Sequence, residues 1–216
     1  MKQIARMVRE NSGFLLLLVL MSLFRSVVAD WNTVPTGSMK PTILEGDRIL
    51  VDKLAYDLRL PFTHLSLVEL GEPKRGEIVI FDSQKAGKRL VKRVVGLPGD
   101  VVAMRANRLY LNGEWLDYRA AVAGAGHVDL REELDGAGHA LRWQGEVSAL
   151  SNFGPLTVPP DHFLVLGDNR DRSADSRVYG FVPRREIVGR SDTVVVSLDY
   201  DNYYLPRGGR LWQSLD

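Results

Sequence analysis

The sequence predicts a mostly β fold, an antiparallel core preceded by one hydrophobic N-terminal segment. Three observations predict it: a single unbroken apolar run near residue 14, five short β-branched runs bounded by Gly, Pro or Asp, and no helical periodicity downstream of residue 31. The 216 residues have room for one medium domain with appendages, or for two small lobes. Hydrophobic residues make up 45% and charged residues 25%, which excludes wholesale disorder. Lys plus Arg (28) nearly cancel Asp plus Glu (27), and a net charge of +1 argues against a surface that coats nucleic acid. With no Cys, disulfides, thiol nucleophiles and thiolate metal sites are excluded.

The N-terminal segment comes first. Lys2, Arg6 and Arg9 precede the run Phe14–Met21, which continues through Leu23 and Phe24 to Arg25 and fades at Ala29. Gly13 to Ala29 is 17 residues, about 25 Å as a helix and at the short end of the spanning range. The basic flank predicts a cytoplasmic N-terminus and export of everything after Asp30. A retained anchor and a cleavable secretory signal ending in Val27-x-Ala29 fit these residues equally well, with a buried core helix as the third alternative.

Strands follow. Arg48–Val51, Glu77–Phe81, Leu90–Val95, Phe163–Leu166 and Thr193–Val196 are the β-branched runs, and Asn112-Gly113 between two apolar pieces signals a tight hairpin. Ala120–Gly154 is richer in Gly and Ala and more weakly patterned, which reads as an inserted, loop-rich lobe. Leu54–Leu70 is unusually apolar for a connection. It fits a segment packed under the core, or a surface resting on a bilayer.

Two segments and one strand carry chemistry. Pro35-Thr-Gly-Ser-Met-Lys-Pro-Thr42 reads as a turn or as the setting of a nucleophilic Ser38. The four His residues flank no informative motif, and neither Gly-x-Ser-x-Gly nor Ser-x-x-Lys occurs. Gly167-Asp-Asn-Arg-Asp-Arg-Ser-Ala-Asp-Ser-Arg177 places Asp171, Ser173 and Asp175 at alternate positions, as a calcium loop does. Ser176 and Val182 stand where that loop needs Gly and an acid, so a polar turn closing a strand is the plainer reading. In an extended Leu90–Val95, Lys92 shares a face with Leu90 and Val94. Aliphatic surroundings lower a lysine pKa, although a snorkelling lysine fits the same pattern.

Taken in order, Arg25-Ser26 at the segment's end, Thr36-Gly-Ser-Met-x-Pro-Thr42, Gly46-Asp47, Arg75-Gly-Glu-Ile-Val79, Lys92-Arg-Val-Val-Gly-Leu-Pro-Gly-Asp100 and Gly167–Arg177 resemble bacterial type I signal peptidase. The motifs run from residue 24 to about 190, leaving out the stretch near 108–160. The resemblance implies a retained anchor, with Ser38 as nucleophile and neutral Lys92 as general base. Ser173 would orient the lysine amine, and the Thr36 hydroxyl with the Ser38 amide would form the oxyanion hole. Asp175 and Arg177 would be structural supports. Val34, Met39, Ile43, Ile49, Ile80, Leu90 and Val91 would line pockets for small residues before the scissile bond. Thr36 stands where many members carry Ser.

The implied layout is a cytoplasmic 1–12, an anchor over 13–30, a catalytic core over 31–107 and 161–216, and a smaller lobe over 108–160. The implied partners are preprotein signal peptides and the lipid bilayer, with no nucleic acid, metal or cofactor. The implied location is the bacterial cytoplasmic membrane, crossed once, with the catalytic part on the extracytoplasmic side. A related Ser–Lys architecture occurs in self-cleaving repressors, but the 12 residues before Gly13 cannot hold their DNA-binding domain. A non-enzymatic, membrane-anchored β module is the other alternative.

Overall fold

The computed structural model describes residues 11–124, 126–145 and 148–215. Leucine-rich sequence forms helix α1 (Ser12–Val27), with Arg25 placed favourably in its last turn and no side chain buried. At 16 residues α1 is about 24 Å long, and no helix among the described residues is long and apolar enough to cross a membrane. The helix ends before residue 30, because Ala29–Thr33 is instead strand β1, paired with β2 (Asp47–Asp52) from Ala29↔Asp52 to Thr33↔Arg48. Of the expected cytoplasmic stretch 1–12, all but the last two residues lie outside the described ones.

Short strands β3 (Asp57–Arg59) and β4 (Ser66–Glu69) form a separate hairpin. The core strands are β5 (Ile78–Ser83) and β6 (Lys88–Gly96), followed by β7 (Val101–Arg105), β8 (Arg108–Leu111) and β9 (Glu114–Trp115). Asn112 and Gly113 both have positive φ, as a two-residue hairpin turn between β8 and β9 requires. Next come β10 (Tyr118–Gly124), β11 (His127–Leu134), β12 (Ala137–Trp143), β13 (Phe153–Thr157) and β14 (His162–Leu166). The one-turn helix α2 (Ser176–Tyr179) precedes β15 (Val182–Pro183), β16 (Ile187–Ser191), β17 (Thr193–Asp199), β18 (Leu205–Pro206) and β19 (Gln213–Ser214).

Every strand pair is antiparallel. The main sheet runs β15-β14-β6-β5-β16-β2-β17-β18, with β1 beside β2 and β19 beside β17. Its central strand β5 is apolar at four consecutive positions because both faces are covered. One apolar cluster gathers Val34, Met39, Ile43, Ile49, Ile80 and Val91, and another gathers Tyr56, Phe81, Val94, Phe163 and Ile187. Two smaller sheets, β13-β7-β8-β9 and β10-β11-β12, are packed through Val95, Met104, Leu109, Leu134 and Leu164.

Most of the stretch expected to be loop-rich is therefore strand. Its pattern is hidden because two core-facing positions, Glu132 and His139, are charged or polar and buried. Leu54–Leu70 also departs from one expectation: Tyr56 is buried, but Phe62, Leu65, Leu67 and Leu70 face outward rather than under the core.

Glu132 anchors the small sheet. Arg170 Nη1 and Nη2 donate to its two oxygens at 3.0 and 2.5 Å, the Tyr118 hydroxyl donates to it, and His139 Nε2 lies 3.3 Å away. Burial pushes this carboxyl up, but the Arg170 charge and His139 outweigh it and hold it at about 2. Because the folded value lies below the free one, this stabilisation is full above about pH 4.5 and is lost as pH falls toward 2. Glu132→Ala strands the Arg170 charge and is expected to cost about 3–5 kcal/mol in urea unfolding at pH 7, with a shallower acid limb. A cost under about 1 kcal/mol would show that the pair does not hold the sheet.

Candidate active site

Ser38 sits in a single 3₁₀ turn, Gly37–Met39, between the apolar side chains of Val34 and Met39. Its oxygens face two ways. Ser38 O accepts from Asn169 N at 3.0 Å, and Asn169 Nδ2 donates to Gly37 O at 3.0 Å. Gly167 permits this approach, since a Cβ there would run into Ser173 Oγ and Ser38 O. Ser38 Oγ lies 2.8 Å from Lys92 Nζ, which also donates to Val91 O at 2.8 Å.

Lys92 is 2% exposed. Strand alternation puts it on the side of Leu90 and Val94, as extended geometry requires, and it does not snorkel to water. Burial lowers its pKa, Asp175 and Asp168 act against this, and the result is about 8. On the other face, Arg93 Nε and Nη2 grip Asp168 at 2.9 and 2.8 Å, and Thr42 Oγ1 donates to the same carboxylate at 2.6 Å.

Asp175 caps α2 by accepting from Arg177 N, and it also accepts from Gly167 N at 2.9 Å. Arg177 Nε and Nη2 donate to its two oxygens at 2.9 and 2.8 Å, and Nη2 reaches Arg170 O as well. Burial raises the Asp175 carboxyl, and Arg177 more than reverses it. Ser173 is buried nearby, but its hydroxyl forms no hydrogen bond to Lys92, whose second contact is the Val91 carbonyl. Thr36 is exposed at the turn's start and lines an open cleft.

That cleft, about 460 Å³, is lined by Thr36, Gly37 and Ser38 together with Lys40, Glu45, Arg142, Gln144, Asn169 and Arg172. The seven apolar residues expected to line a pocket are not among them. Six of these pack into one cluster, no more than 9% exposed, and Leu90 packs with Phe81 and Val94 instead. The cleft's polar walls escaped sequence reasoning. Lys40 and Asn169 lay inside the motifs, but Arg142 and Gln144 reach the site only because β12 docks on the Asp168–Asn169 segment, through Arg142 N to Asp168 O at 2.8 Å. No local pattern announces such a contact.

Residues 7–196 match the model of the family described as signal peptidase, peptidase S26. Signal peptidase I of Pseudomonas aeruginosa is 35% identical over 207 residues, covering 88% of this chain and 73% of that protein. A probable signal peptidase I-2 of Synechocystis sp. is 34% identical over 173 residues, covering 77% of this chain and 63% of that protein. Signal peptidase I of Bacillus licheniformis is 33% identical over 193 residues, covering 86% of this chain and 90% of that protein. The matched span takes in both segments that meet at Ser38. With nearly nine-tenths of its length aligned to such relatives, the chain belongs to the serine-type signal peptidase family, peptidase S26.

Proposed function

We propose that the protein removes signal peptides from exported preproteins, cleaving after Ala-x-Ala-type sequences, with Ser38 as nucleophile and neutral Lys92 as general base. The observation that carries this reading is the 2.8 Å contact between Ser38 Oγ and a lysine amine withdrawn from water. Lys92 takes the hydroxyl proton as Oγ attacks the scissile carbonyl carbon. The resulting ammonium protonates the leaving amine, and an acyl-enzyme forms. Lys92, neutral again, then activates water for deacylation. At a pKa of about 8, roughly a quarter of the amine is neutral at pH 7.5, against about 0.1% for a free lysine.

The Thr36 hydroxyl and the Ser38 amide serve as oxyanion donors in this reading. The amide belongs to the first turn of a 3₁₀ segment, where backbone donors lack internal acceptors. Ser173 supports the lysine by packing, and Asp175 with Arg177 holds the loop that carries it. The closed cluster of Val34, Met39, Ile43, Ile49, Ile80 and Val91 offers an apolar wall with little free depth, which suits side chains the size of Ala.

The same proposal retains α1 as a membrane anchor in the bacterial cytoplasmic membrane, with the core 31–107 and 161–216 and the lobe 108–160 outside. Phe14, Leu16 and Leu20 are each more than half exposed, and the Arg25 guanidinium lies over the Trp31 ring at 4.6 Å. Phe62 and Leu65, 73% and 60% exposed, sit beside the helix end, where Phe62 N donates to Ser26 Oγ at 2.7 Å. An apolar patch tied to the anchor's end favours lipid contact there.

Three outcomes are expected. Wild type cleaves a preprotein whose signal ends in Ala-x-Ala, whereas Ser38→Ala, Lys92→Met and Lys92→Arg do not. The acid limb of kcat/KM reports a group near pH 8. Because the unfolded lysine keeps its proton up to about 10.5, stability rises with pH between these values and the full penalty of about 3 kcal/mol applies below 8. Lys92→Met is therefore at least as stable as wild type at pH 7 in urea unfolding, and an active Lys92→Arg would overturn the assignment.

Thr36→Val is expected to lower kcat by about 10²-fold or more while Thr36→Ser is tolerated; an unchanged kcat for Thr36→Val would remove Thr36 from the oxyanion hole. In vesicle flotation, a chain beginning at Val28 is expected to lose most membrane association, and adding Phe62→Asp and Leu65→Asp to remove the remainder. Flotation equal to that of the full chain would refute the anchoring role.

A further inference from the structure

We propose that the polar cleft beside Ser38 receives the first residues of the leaving polypeptide, and that Arg172 selects an acidic side chain there. This rests on the peptidase reading above. The small apolar residues before the scissile bond belong against the apolar cluster that Val34 and Met39 join. The open cleft shares none of that cluster's residues, yet both meet at Ser38. A substrate passing through the nucleophile therefore enters along the apolar wall and leaves through the polar cleft.

The charges in the cleft then single out one group. Lys40 is paired with Glu45 at 2.5 Å. Arg142 is paired with Asp129 through two hydrogen bonds of 2.7 and 2.8 Å, and His127 Nε2 lies 3.9 Å from the same carboxylate. Arg172 has no carboxylate within 4.0 Å among the described residues, although it borders the cleft. The carboxylate of its neighbour Asp171 is directed instead to Asn107 Nδ2 and Gln144 N, both at 2.6 Å, and forms no ion pair with Arg172. Arg172 is thus the cation available to a ligand.

Its mounting sets its reach. Arg172 N donates to Asn169 O at 3.0 Å, and Asn169 in turn is bonded to the carbonyls of Gly37 and Ser38. One 3₁₀ turn, about 6 Å, separates the arginine from the residue that holds the nucleophile. Extended chain advances about 3.3–3.6 Å per residue, so a backbone offset of about 6 Å matches about two residues, and the proposal assigns Arg172 to the second or third residue past the cleaved bond. Asp or Glu at that position supplies the missing partner.

The test uses the full-length protein in vesicles and three preproteins with one signal sequence, carrying Asp, Asn or Lys at the second and third positions of the exported part. Wild type is expected to prefer Asp over Lys by about tenfold in kcat/KM, with Asn between, and this contrast shrinks from about 0.05 to about 0.5 M salt. Arg172→Lys retains the order, Arg172→Ala brings the ratio near one, and Arg172→Glu reverses it. A merely structural role for Arg172 lowers all three substrates alike and leaves the ratio standing, which would overturn the proposal. So would a wild type indifferent to these residues while cleaving all three. Failure of wild type to cleave any of them refutes the peptidase reading itself, and this inference with it.

Discussion

The buried pairing of Arg93 with Asp168 is the contact on which the remainder of the site depends. It joins β6 to the segment after β14 by two hydrogen bonds away from water, and Thr42, four residues past Ser38, closes onto the same carboxylate. Three stretches distant in sequence are thereby held at one point. Lys92 is the adjacent residue on the strand and faces the opposite side, where its amine meets Ser38 Oγ and the Val91 carbonyl. Breaking one partner would leave a charge stranded in the interior, so the geometry is held by a large penalty for loss rather than by a large net gain.

The amine's low pKa needs more than burial. Two carboxylates, Asp175 and Asp168, stand close enough to favour the charged lysine and so act against the lowering by burial. Each is matched by its own guanidinium: Arg177 grips Asp175, and Arg93 grips Asp168. The two aspartates still favour the ammonium form, Lys88 and Arg177 oppose them, and desolvation, the largest influence, decides the sign. A pair that looks purely architectural, capping α2 and fixing the loop, also helps lower the lysine pKa, because Arg177 opposes the pull of Asp175 on the ammonium form.

The main sheet was legible because its strands are buried on both faces and read as β-branched runs: Ile78–Phe81, Val91–Val95 and Phe163–Leu166 all fall in strands. The Asn112-Gly113 turn was legible because few residues tolerate two successive positive φ values. The small sheet was not. Its inward positions include Glu132 and His139, whose partners Arg170 and Asp168 lie some 30 residues or more away in sequence, and a pattern search scores them as solvent-facing. At the candidate site, Ser38 and Lys92 lie 2.8 Å apart, a pairing that the family resemblance and not their residue types implied, and Ser173 makes no bond to the amine. The seven apolar residues named for the pocket do not line the open cleft, and hydrophobicity in the sequence marks a wall and a core alike. The Val34–Val91 group is closed, and the open space belongs to polar residues from two elements.

The surroundings of Ser38 are therefore asymmetric, and each side has a different structural origin. The apolar side is built by strands of the main sheet, where substitution of Ile80 or Val91 would open a cavity in the core as well as alter the wall. The polar side borrows Arg142 and Gln144 from β12, whose sheet is fastened to the core through Glu132–Arg170 and the Arg142–Asp168 backbone contact. Changes at exposed positions of that sheet leave the core packing untouched. In the proposed reading, the chemistry and the wall for small apolar residues are tied to stability, whereas the shape and charge of the side assigned to the leaving chain are free to vary. Any divergence in substrate preference that spares the fold has its cheapest route through the small sheet and the Asn169–Arg172 turn.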